Sequence, residues 1–220
     1  PHGQHFERWF HSRGTAGEAR RSWEDSSDGN GLLAAQTWNS ALPEKWHTST
    51  WVADRTIKYL QSALSEENPF CLWASFPDPH HPFDCPTPWN SMYDPSEVDI
   101  PDHRFRDFES RPWWHQKLYG SEQKISQDEY TNKKLGSAAR MSSQTDEQLR
   151  HMTANYYGMI SLLDHNVGRI LSTLEKLNLK QNTIIIFTSD HGELLGDHGL
   201  ILKGPTLYEG LTKVGLIFSG

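Results

Sequence analysis

The chain has little of three features that would narrow its function at once: long apolar runs, excess positive charge and cysteine. No stretch approaches the roughly 20 apolar residues that a membrane-spanning helix needs, so the sequence predicts no membrane span. The formal net charge is −7 at pH 7, which argues against binding to nucleic acid or to an anionic membrane surface. An anionic substrate would therefore need a locally positive site, built from a metal, a lysine or an arginine.

The two cysteines form no recognisable metal-binding or redox motif. Cys71 and Cys85 do not make a Cys-x-x-Cys pair, and neither lies near a histidine at zinc-site spacing. A disulfide between them stays open. We favour two buried free thiols, because a reduced cysteine behaves as a small apolar side chain.

Hydrophobic periodicity predicts two helices and three strands that alternate along the chain. Apolar residues recur every three or four positions over residues 48–66 and 145–177, as on one face of a helix. Short apolar runs at residues 70–76 and 183–188 are typical of strands buried on both faces, and residues 214–218 give a third strand. The alternation indicates an α/β layered domain.

Two stretches outside this pattern show no lasting period. Residues 1–47 are predicted to be mostly loop. Residues 83–143 are polar and rich in proline and aromatic side chains, and they are too long for an ordinary loop. We expect this second stretch to fold over a sheet edge or to line a cleft, with Trp113 and Trp114 inside it.

The sharpest motif follows the second predicted strand. Asp190 and His191 stand there before Gly192, at the kind of strand end where ligands gather in open α/β sheets. Neighbouring strand residues point to opposite faces, so a shared target requires a turn, which Gly192 makes easy. A carboxylate and an imidazole are a reasonable half-shell for a divalent cation, although two ligands do not close a site. The alternative is a strand-end aspartate that caps a helix, beside a surface histidine.

Three further side chains are candidates for contact with an anion. Lys203 lies among apolar residues and could hold its ammonium over an anion, although such a lysine is more often simply solvated. His80 and His81 follow the first predicted strand in a proline-rich segment, which fixes the backbone around an imidazole suited to proton transfer. Taken alone, these histidines also fit a rigid turn with two exposed side chains.

Four blocks of sequence follow the order of one known family. They are His47-Thr48 with Trp51 and Asp54-Arg55; Ser75 to Phe83; Tyr157, Leu163-Asp164 and Val167-Gly168-Arg169; and Thr188 to Glu193 with Gly196 to Gly199, Lys203 and Tyr208-Glu209. Together they resemble the sulfatase family of the alkaline-phosphatase superfamily. The last block is specific, and the third alone would be weak. The resemblance covers residues 46–100 and 150–220.

The resemblance implies a fold. It would be a layered α/β sandwich, alkaline-phosphatase-like, with a central, mainly parallel sheet flanked by helices. Residues 1–220 would form a partial sulfatase catalytic domain. Its core elements would lie at residues 48–100 and 150–220, and residues 1–47 and 101–149 would be irregular or an excursion.

The resemblance also implies roles for site residues. Asp190 and His191 would supply half the ligands of one divalent cation, with calcium expected first and magnesium or manganese as alternatives. Lys203 would contact the sulfate. In the family's His-x-Pro motif, counting back from Pro82 selects His80 as the residue that contacts the ester and assists the leaving group; His81 fills the variable position.

Several family motifs do not occur in the chain. It has no pair of consecutive aspartates, no Lys-His pair of the family's amino-terminal region and no Cys-x-Pro-x-Arg motif, whose cysteine becomes formylglycine; neither Cys71 nor Cys85 fits that pattern. The chain opens with Pro1 rather than methionine. We expect these motifs, and any targeting signal, to lie before Pro1 and a further subdomain to follow Gly220, so the chain alone should be inactive.

The implied activity is hydrolysis of a small anionic sulfate ester by a metal-assisted formylglycine nucleophile. Hydrolysis of phosphonate monoesters or phosphodiesters is an alternative, because these residues do not separate sulfur from phosphorus. A second alternative is a non-catalytic carbohydrate-binding module whose tryptophans stack on sugars. The particular ester, the oligomeric state and the compartment are beyond what the sequence reveals.

Overall fold

The computed structural model describes residues 6–11, 34, 37–40, 42–63, 68–102, 110, 144–204 and 206–220. Helices and short strands alternate in this part of the chain, which confirms the predicted α/β class. The elements are α1 (Phe6–His11), β1 (Thr37–Ser40), α2 (Thr48–Ala63), β2 (Phe83–Pro86), α3 (Asp146–Lys176), β3 (Ile185–Thr188), α4 (Glu209–Thr212) and β4 (Leu216–Ser219). The prediction of mostly loop before residue 48 missed α1 and β1, while Trp113 and Trp114 lie outside the described residues.

The long helix α3 begins and ends where its sequence signals predicted. At its start, the Thr145 hydroxyl accepts the backbone N–H of Gln148 at 3.2 Å, and the Gln148 side chain accepts the backbone N–H of Thr145 at 3.0 Å. This reciprocal capping box satisfies two N–H groups that have no partner inside the helix. At its end, Asn178 takes a positive φ of 56°, which closes the last turn.

The main hydrophobic core lies between α3 and β2. Phe83 and Cys85 of β2 are fully buried against Met152 and Met159 of α3. Gly158 lets the two elements approach closely, because a β-carbon there would lie 2.4 Å from the carbonyl oxygen of Trp89 and 2.8 Å from the Cys85 sulfur. The packing therefore depends on the absence of a side chain at this position.

The helix α2 packs beside α3 and is tied to it by an ion pair. Arg169 of α3 contacts Asp54 of α2 at 2.5 Å, and its other terminal nitrogen donates to the side chain of Asn166 at 2.8 Å. Ala53 and Leu60 are the buried apolar side chains on this face of α2. The pair of helices holds the amino-terminal end of α2 close to β2.

Within the described residues, the strands form two separate pairs rather than one central sheet. β1 and β2 pair in parallel, with Thr37 opposite Phe83. β3 and β4 pair antiparallel, with Ile186 opposite Phe218 and neighbouring pairs on the other face. The prediction of a central, mainly parallel sheet is thus met only by the small β1–β2 pair in this part of the chain.

The predicted burial of two apolar segments is wrong for the described structure. Residues 70–76 are assigned to no strand there, and Trp73 is 89% exposed. In the β3–β4 pair, Ile186 is 57% exposed and Phe218 is 65% exposed on one face, and Ile217 on the other face is 60% exposed. An apolar run indicates that a segment can be buried, but burial also requires other elements packed on its faces. Within the described residues, no element covers these segments.

The cysteines are both free thiols, as predicted, but only one is buried. Cys71 is exposed, which corrects its predicted burial, whereas Cys85 lies in the core. Burial raises the pKa of the Cys85 thiol to about 12, with a further contribution from the charges of Asp84 and Asp78. In the part of the chain that the structure describes, no helix has both the length and the apolar character needed to cross a bilayer.

Two glycines of α3 provide a matched test of the core. The Gly158→Ala substitution should lower the free energy of unfolding by about 1–3 kcal/mol or more, because the added carbon collides with backbone atoms. Gly168→Ala on the same helix meets no atom within 4 Å and should raise it by up to about 1 kcal/mol. Urea unfolding of both variants measures the difference; equal effects would contradict the close packing at Gly158.

The two thiols should differ in reactivity. A disulfide-exchange reagent at pH 8 should label Cys71 rapidly in the native protein, whereas Cys85 should react only after unfolding, since burial keeps it protonated. Mass spectrometry of the labelled peptides assigns each site. Fast labelling of Cys85 without denaturant would show that β2 is not held in the core.

Candidate functional site

Two loops meet beside Lys203. Residues 77–82, which we call the histidine loop, carry His80 and His81 and lead directly into β2. Residues 189–194 follow β3 and carry Asp190 and His191. The charges of Lys203 and His191 both lower the pKa of His81, so the two loops and the lysine share one electrostatic environment.

In the Asp190–His191 pair, one ring nitrogen of the imidazole contacts the backbone and the other lies near the carboxylate. The ring nitrogen Nδ1 of His191 lies 2.7 Å from the carbonyl oxygen of Gly192. A carbonyl only accepts, so Nδ1 carries the proton, and in the neutral ring Nε2 keeps a free lone pair. This Nε2 lies 3.8 Å from Oδ2 of Asp190, whose side chain is 88% exposed. The backbone thus turns at residues 190–192 so that both side chains face the same side.

The separation of these two donors suits a shared cation. Adjacent ligands at about 2.4 Å from a metal and at right angles would lie about 3.4 Å apart, close to the 3.8 Å observed between the two atoms. Among the described residues, however, no group of three or more His, Cys, Asp or Glu side chains could hold a metal ion. The ligand roles of Asp190 and His191 therefore stay a prediction, and two side chains alone would not close a coordination shell.

Two residues that interact with the charges of this pair have buried polar atoms. Within the described structure, Nζ of Lys203 and Nδ1 of His81 are buried, and neither has a hydrogen-bond partner. Such atoms are rare in folded proteins, because each costs the free energy of its lost hydration. Here one of them is an ammonium, and an anion's oxygen atoms are its natural partners.

The protonation equilibria of the site are coupled. Burial lowers the pKa of His81 to about 4, helped by the charges of His80, Lys203 and His191. Burial also lowers the pKa of Lys203, against the opposing charges of Glu193 and Asp190. For Asp190, partial desolvation opposes ionisation, but the neighbouring His191, backbone N–H groups and Lys203 together lower its pKa. The carboxylate of Asp190 is thus ionised at neutral pH.

His80 and His81 occupy different environments although they are adjacent. Their rings stack, with centroids 4.1 Å apart and planes 27° from parallel. His80 is exposed, and its Nδ1 contacts the carbonyl oxygen of His81. His81 is half-buried on the side of Lys203. The motif selects His80 and leaves His81 as a variable position, whereas in the structure His81 is the one that interacts with the charges of Lys203 and His191; the role of His80 stays a prediction.

The family model described as Sulfatase matches residues 4–220. The chain belongs to the sulfatase family. An arylsulfatase of Clostridium perfringens (strain 13 / Type A) is 32% identical over 185 residues, which cover 83% of this chain and 34% of that protein. The multifunctional alkaline phosphatase superfamily protein PehA of Trinickia caryophylli is 30% identical over 164 residues, covering 74% of this chain and 31% of that protein. The chain thus spans about a third of the length of these relatives.

A solved structure of another hydrolase is also similar. The phosphonate monoester hydrolase of Agrobacterium radiobacter aligns with a TM-score of 0.68 at 26% identity, over 97% of this chain and 40% of that chain. The identification agrees with the family suggested by the sequence blocks, and with structural neighbours of the alkaline-phosphatase-like fold.

Glu193 is a further residue near the candidate site, and the sequence marks it only as part of a family motif. Burial raises the pKa of Glu193 to about 7, although backbone N–H groups and the charges of Lys203 and His191 oppose the rise. Its side chain accepts the N–H of Leu194 at 3.0 Å. A carboxyl group that follows His191-Gly192 in sequence gives no sign of such burial, because the burial arises from tertiary contacts. Its position beside Lys203 makes it part of the charge balance of the site.

The turn that carries Asp190 and His191 is held against α4. Gly192 donates its N–H to the carbonyl oxygen of Leu211 at 2.8 Å. A β-carbon on Gly192 would lie 1.9 Å from the carbonyl oxygen of Gly210. Leu194 and Leu211 pack together in a small second core beneath this contact. The orientation of the Asp190–His191 pair therefore depends on a glycine at position 192.

This contact generates a prediction with an internal control. Gly192→Ala should displace residues 190–192 from α4, which separates Nε2 of His191 from Asp190 and lowers the free energy of unfolding. Gly204→Ala, beside Lys203, meets no atom within 4 Å and should change neither property. Imidazole nitrogen spectra of His191 and thermal unfolding measure both effects. Unchanged His191 resonances in folded Gly192→Ala would contradict this account.

Proposed function

We propose that the protein to which this chain belongs hydrolyses sulfate esters, and that this chain supplies part of the cation site and the anion-binding lysine. The observation that carries the proposal is the buried ammonium of Lys203, which has no hydrogen-bond partner among the described residues and interacts with the charge of Asp190, in a member of the sulfatase family. Membership of the family supports the reaction class. The geometry of these side chains supports their roles.

Lys203 is suited to hold the non-bridging oxygens of the ester. Its ammonium is buried without a hydrogen-bond partner among the described residues, so an oxyanion would restore the interactions that burial removed. Charge that develops on these oxygens in the transition state would then be stabilised by a group already in place. Burial lowers the pKa of Lys203 and the negative charges of Glu193 and Asp190 oppose that shift, so a bound anion would further favour the charged ammonium.

Asp190 and His191 are suited to hold a divalent cation. The hard carboxylate favours calcium, magnesium or manganese, and the free Nε2 of His191 adds a nitrogen ligand. Such a cation, when bound, would act as a Lewis acid toward an oxygen of the ester. Within this chain the two side chains orient the ligand atoms, and the carbonyl of Gly192 fixes the ring that carries one of them.

His80 is suited to hold or deliver a proton at the departing alcohol oxygen. His81 is mostly neutral at pH 7, since its pKa is about 4, and it is therefore a hydrogen-bond partner rather than a proton donor. His80 is exposed, stacks on His81 and keeps Nε2 available while Nδ1 contacts the backbone. We assign the proton transfer to His80 and an ester contact to His81.

The nucleophile has no candidate in this chain. Neither Cys71 nor Cys85 lies in a Cys-x-Pro-x-Arg motif, and Cys85 is buried as a protonated thiol. We infer that the nucleophile, proposed to be formylglycine, and the remaining cation ligands come from the rest of the protein, as the coverage of its relatives suggests. The 220-residue chain by itself should therefore be inactive.

Hydrolysis of phosphonate monoesters is a second candidate. It is favoured by the 26% identity and the TM-score of 0.68 to a phosphonate monoester hydrolase. Sulfate and phosphonate esters both present anionic oxygens to a cation and a lysine, so the described residues serve either reaction.

Parallel kinetics on two esters test the proposal. We expect the protein, expressed from its complete reading frame with calcium present, to hydrolyse an aryl sulfate with a higher kcat/KM than a matched aryl phosphonate monoester. Lys203→Ala should lower kcat/KM by about 10²–10³-fold, the usual effect of removing one charge-stabilising group. Lys213→Ala, at an exposed lysine, is the control and should leave it unchanged.

The outcomes separate the candidates. A higher kcat/KM on the phosphonate would favour the second candidate, and hydrolysis of neither ester would overturn both. Turnover by the 220-residue chain alone, above that of its own Lys203→Ala variant, would contradict the inference that the nucleophile lies elsewhere.

A further inference from the structure

A buried polar cluster lies behind the histidine loop. It consists of His47, which directly precedes α2, Ser49 in the first turn of α2, and Asp78 at the start of the loop. His47 and Ser49 are 5% and 0% exposed, and the Asp78 side chain is 10% exposed. Burial of three polar side chains in one place is costly unless they satisfy one another, so their mutual contacts define what the cluster does.

The cluster is tied together by its own hydrogen bonds. The Ser49 hydroxyl donates to Oδ2 of Asp78. Nδ1 of His47 lies 3.4 Å from the same carboxylate oxygen and 3.4 Å from the backbone N–H of Ser49. The first turn of α2 contains no acidic residue of its own, so Asp78 supplies negative charge at the positive end of that helix from a distant segment.

His47 connects both ends of the histidine loop. Its Nδ1 faces Asp78 at the start of the loop, and its Nε2 donates to the carbonyl oxygen of Asp84, the second residue of β2, at 3.2 Å. One ring thus spans the segment that contains His80 and His81. In the neutral ring Nδ1 accepts the N–H of Ser49, so the hydroxyl of Ser49 makes the hydrogen bond to Asp78 while His47 makes the one to Asp84.

Among the described residues, the start of the loop has few other anchors. Its end enters the core through Phe83, which is fully buried. Upstream, residues 70–76 belong to no strand in the described structure, and Pro77 is exposed. The side chain of Asp78 is therefore the main buried attachment at the amino-terminal side of the loop.

We propose that His47, Ser49 and Asp78 are positioning residues, which hold the histidine loop so that His81, with His80 stacked on it, stays close to Lys203 and His191. The assignment of chemical roles to His80 and His81 rests on the proposed function, whereas the attachment of the loop does not. None of the three side chains touches the reacting atoms. Their effect passes through the backbone of residues 78–82.

The attachment is tested by the reactivity of His81 in the folded protein. Diethylpyrocarbonate modifies accessible imidazoles, and mass spectrometry gives the rate at each histidine. Asp78→Ala should raise the modification rate of half-buried His81 by about 10–100-fold, because the loop opens more often once bonds to a charged group are lost. Asp78→Asn should raise it less, since the amide oxygen still accepts the Ser49 hydroxyl.

Ser49→Ala and Thr50→Val form the matched pair. Ser49→Ala removes one hydroxyl from the cluster and should also raise the rate, and Ser49→Thr should restore it. The buried Thr50 hydroxyl has no hydrogen-bond partner in the described part of the chain, so the nearly isosteric Thr50→Val should leave the rate unchanged. If Asp78→Ala fails to fold, this milder pair still decides the question.

Kinetics of the complete protein distinguish positioning from general stability. Measured well below the unfolding temperature, Asp78→Ala should lower kcat by about 10–100-fold with a smaller change in KM, because a displaced histidine loop mispositions the reacting groups. An unchanged His81 modification rate in folded Asp78→Ala and Ser49→Ala would overturn the proposal. A faster rate in a protein that hydrolyses neither ester would uphold the attachment and overturn only the proposed function.

Discussion

The close packing of α3 on β2 is the constraint on which the rest of the described structure depends. Gly158 allows the helix to approach Trp89 and Cys85, and the contact buries Phe83 completely. Because Phe83 follows directly on the histidine loop, the core also fixes one end of a candidate sulfatase site. The helix α2 is held by the same long helix through Arg169 and Asp54. Core packing and site geometry are therefore parts of one arrangement.

The candidate site combines a sterically constrained turn with buried polar atoms that lower the stability of the fold. In the described part of the chain, Lys203 and His81 each have a buried polar atom without a hydrogen-bond partner, and the turn at Gly192 leaves no room for a side chain. Features of this kind reduce stability unless a ligand compensates them. Of these atoms, the ammonium of Lys203 carries a positive charge, and that charge is what links the geometry to binding of an anion.

The sequence predicted features that are encoded locally. The capping box at Thr145, the end of α3 at Asn178 and the proximity of Asp190 to His191 all arise from residues close together in the chain. The resemblance to sulfatase motifs predicted that Lys203 lies near Asp190, because family motifs carry information on tertiary structure that hydrophobic periodicity does not. Both helices were found near their predicted bounds for the same reason.

Features that depend on distant contacts were missed. The exposure of residues 70–76 and of β3 could not be read from their apolar pattern, since burial depends on neighbouring layers. His80 and His81 are the same type of residue, so the sequence does not tell them apart. Their different environments arise from the path of the loop. The bonds from Asp78 to Ser49 and from His47 to Asp84 join residues 29 and 37 positions apart, and no periodicity reports such pairs.

The β3–β4 pair has a consequence for how the chain behaves in solution. Its two faces are both apolar and exposed, and such ribbons associate with other sheets through their edges and faces. The net charge of −7 opposes this by mutual repulsion between molecules. Since added salt screens that repulsion over distances of about 10 Å at 0.1 M, colloidal stability should decline as ionic strength rises, even though the fold itself is unchanged.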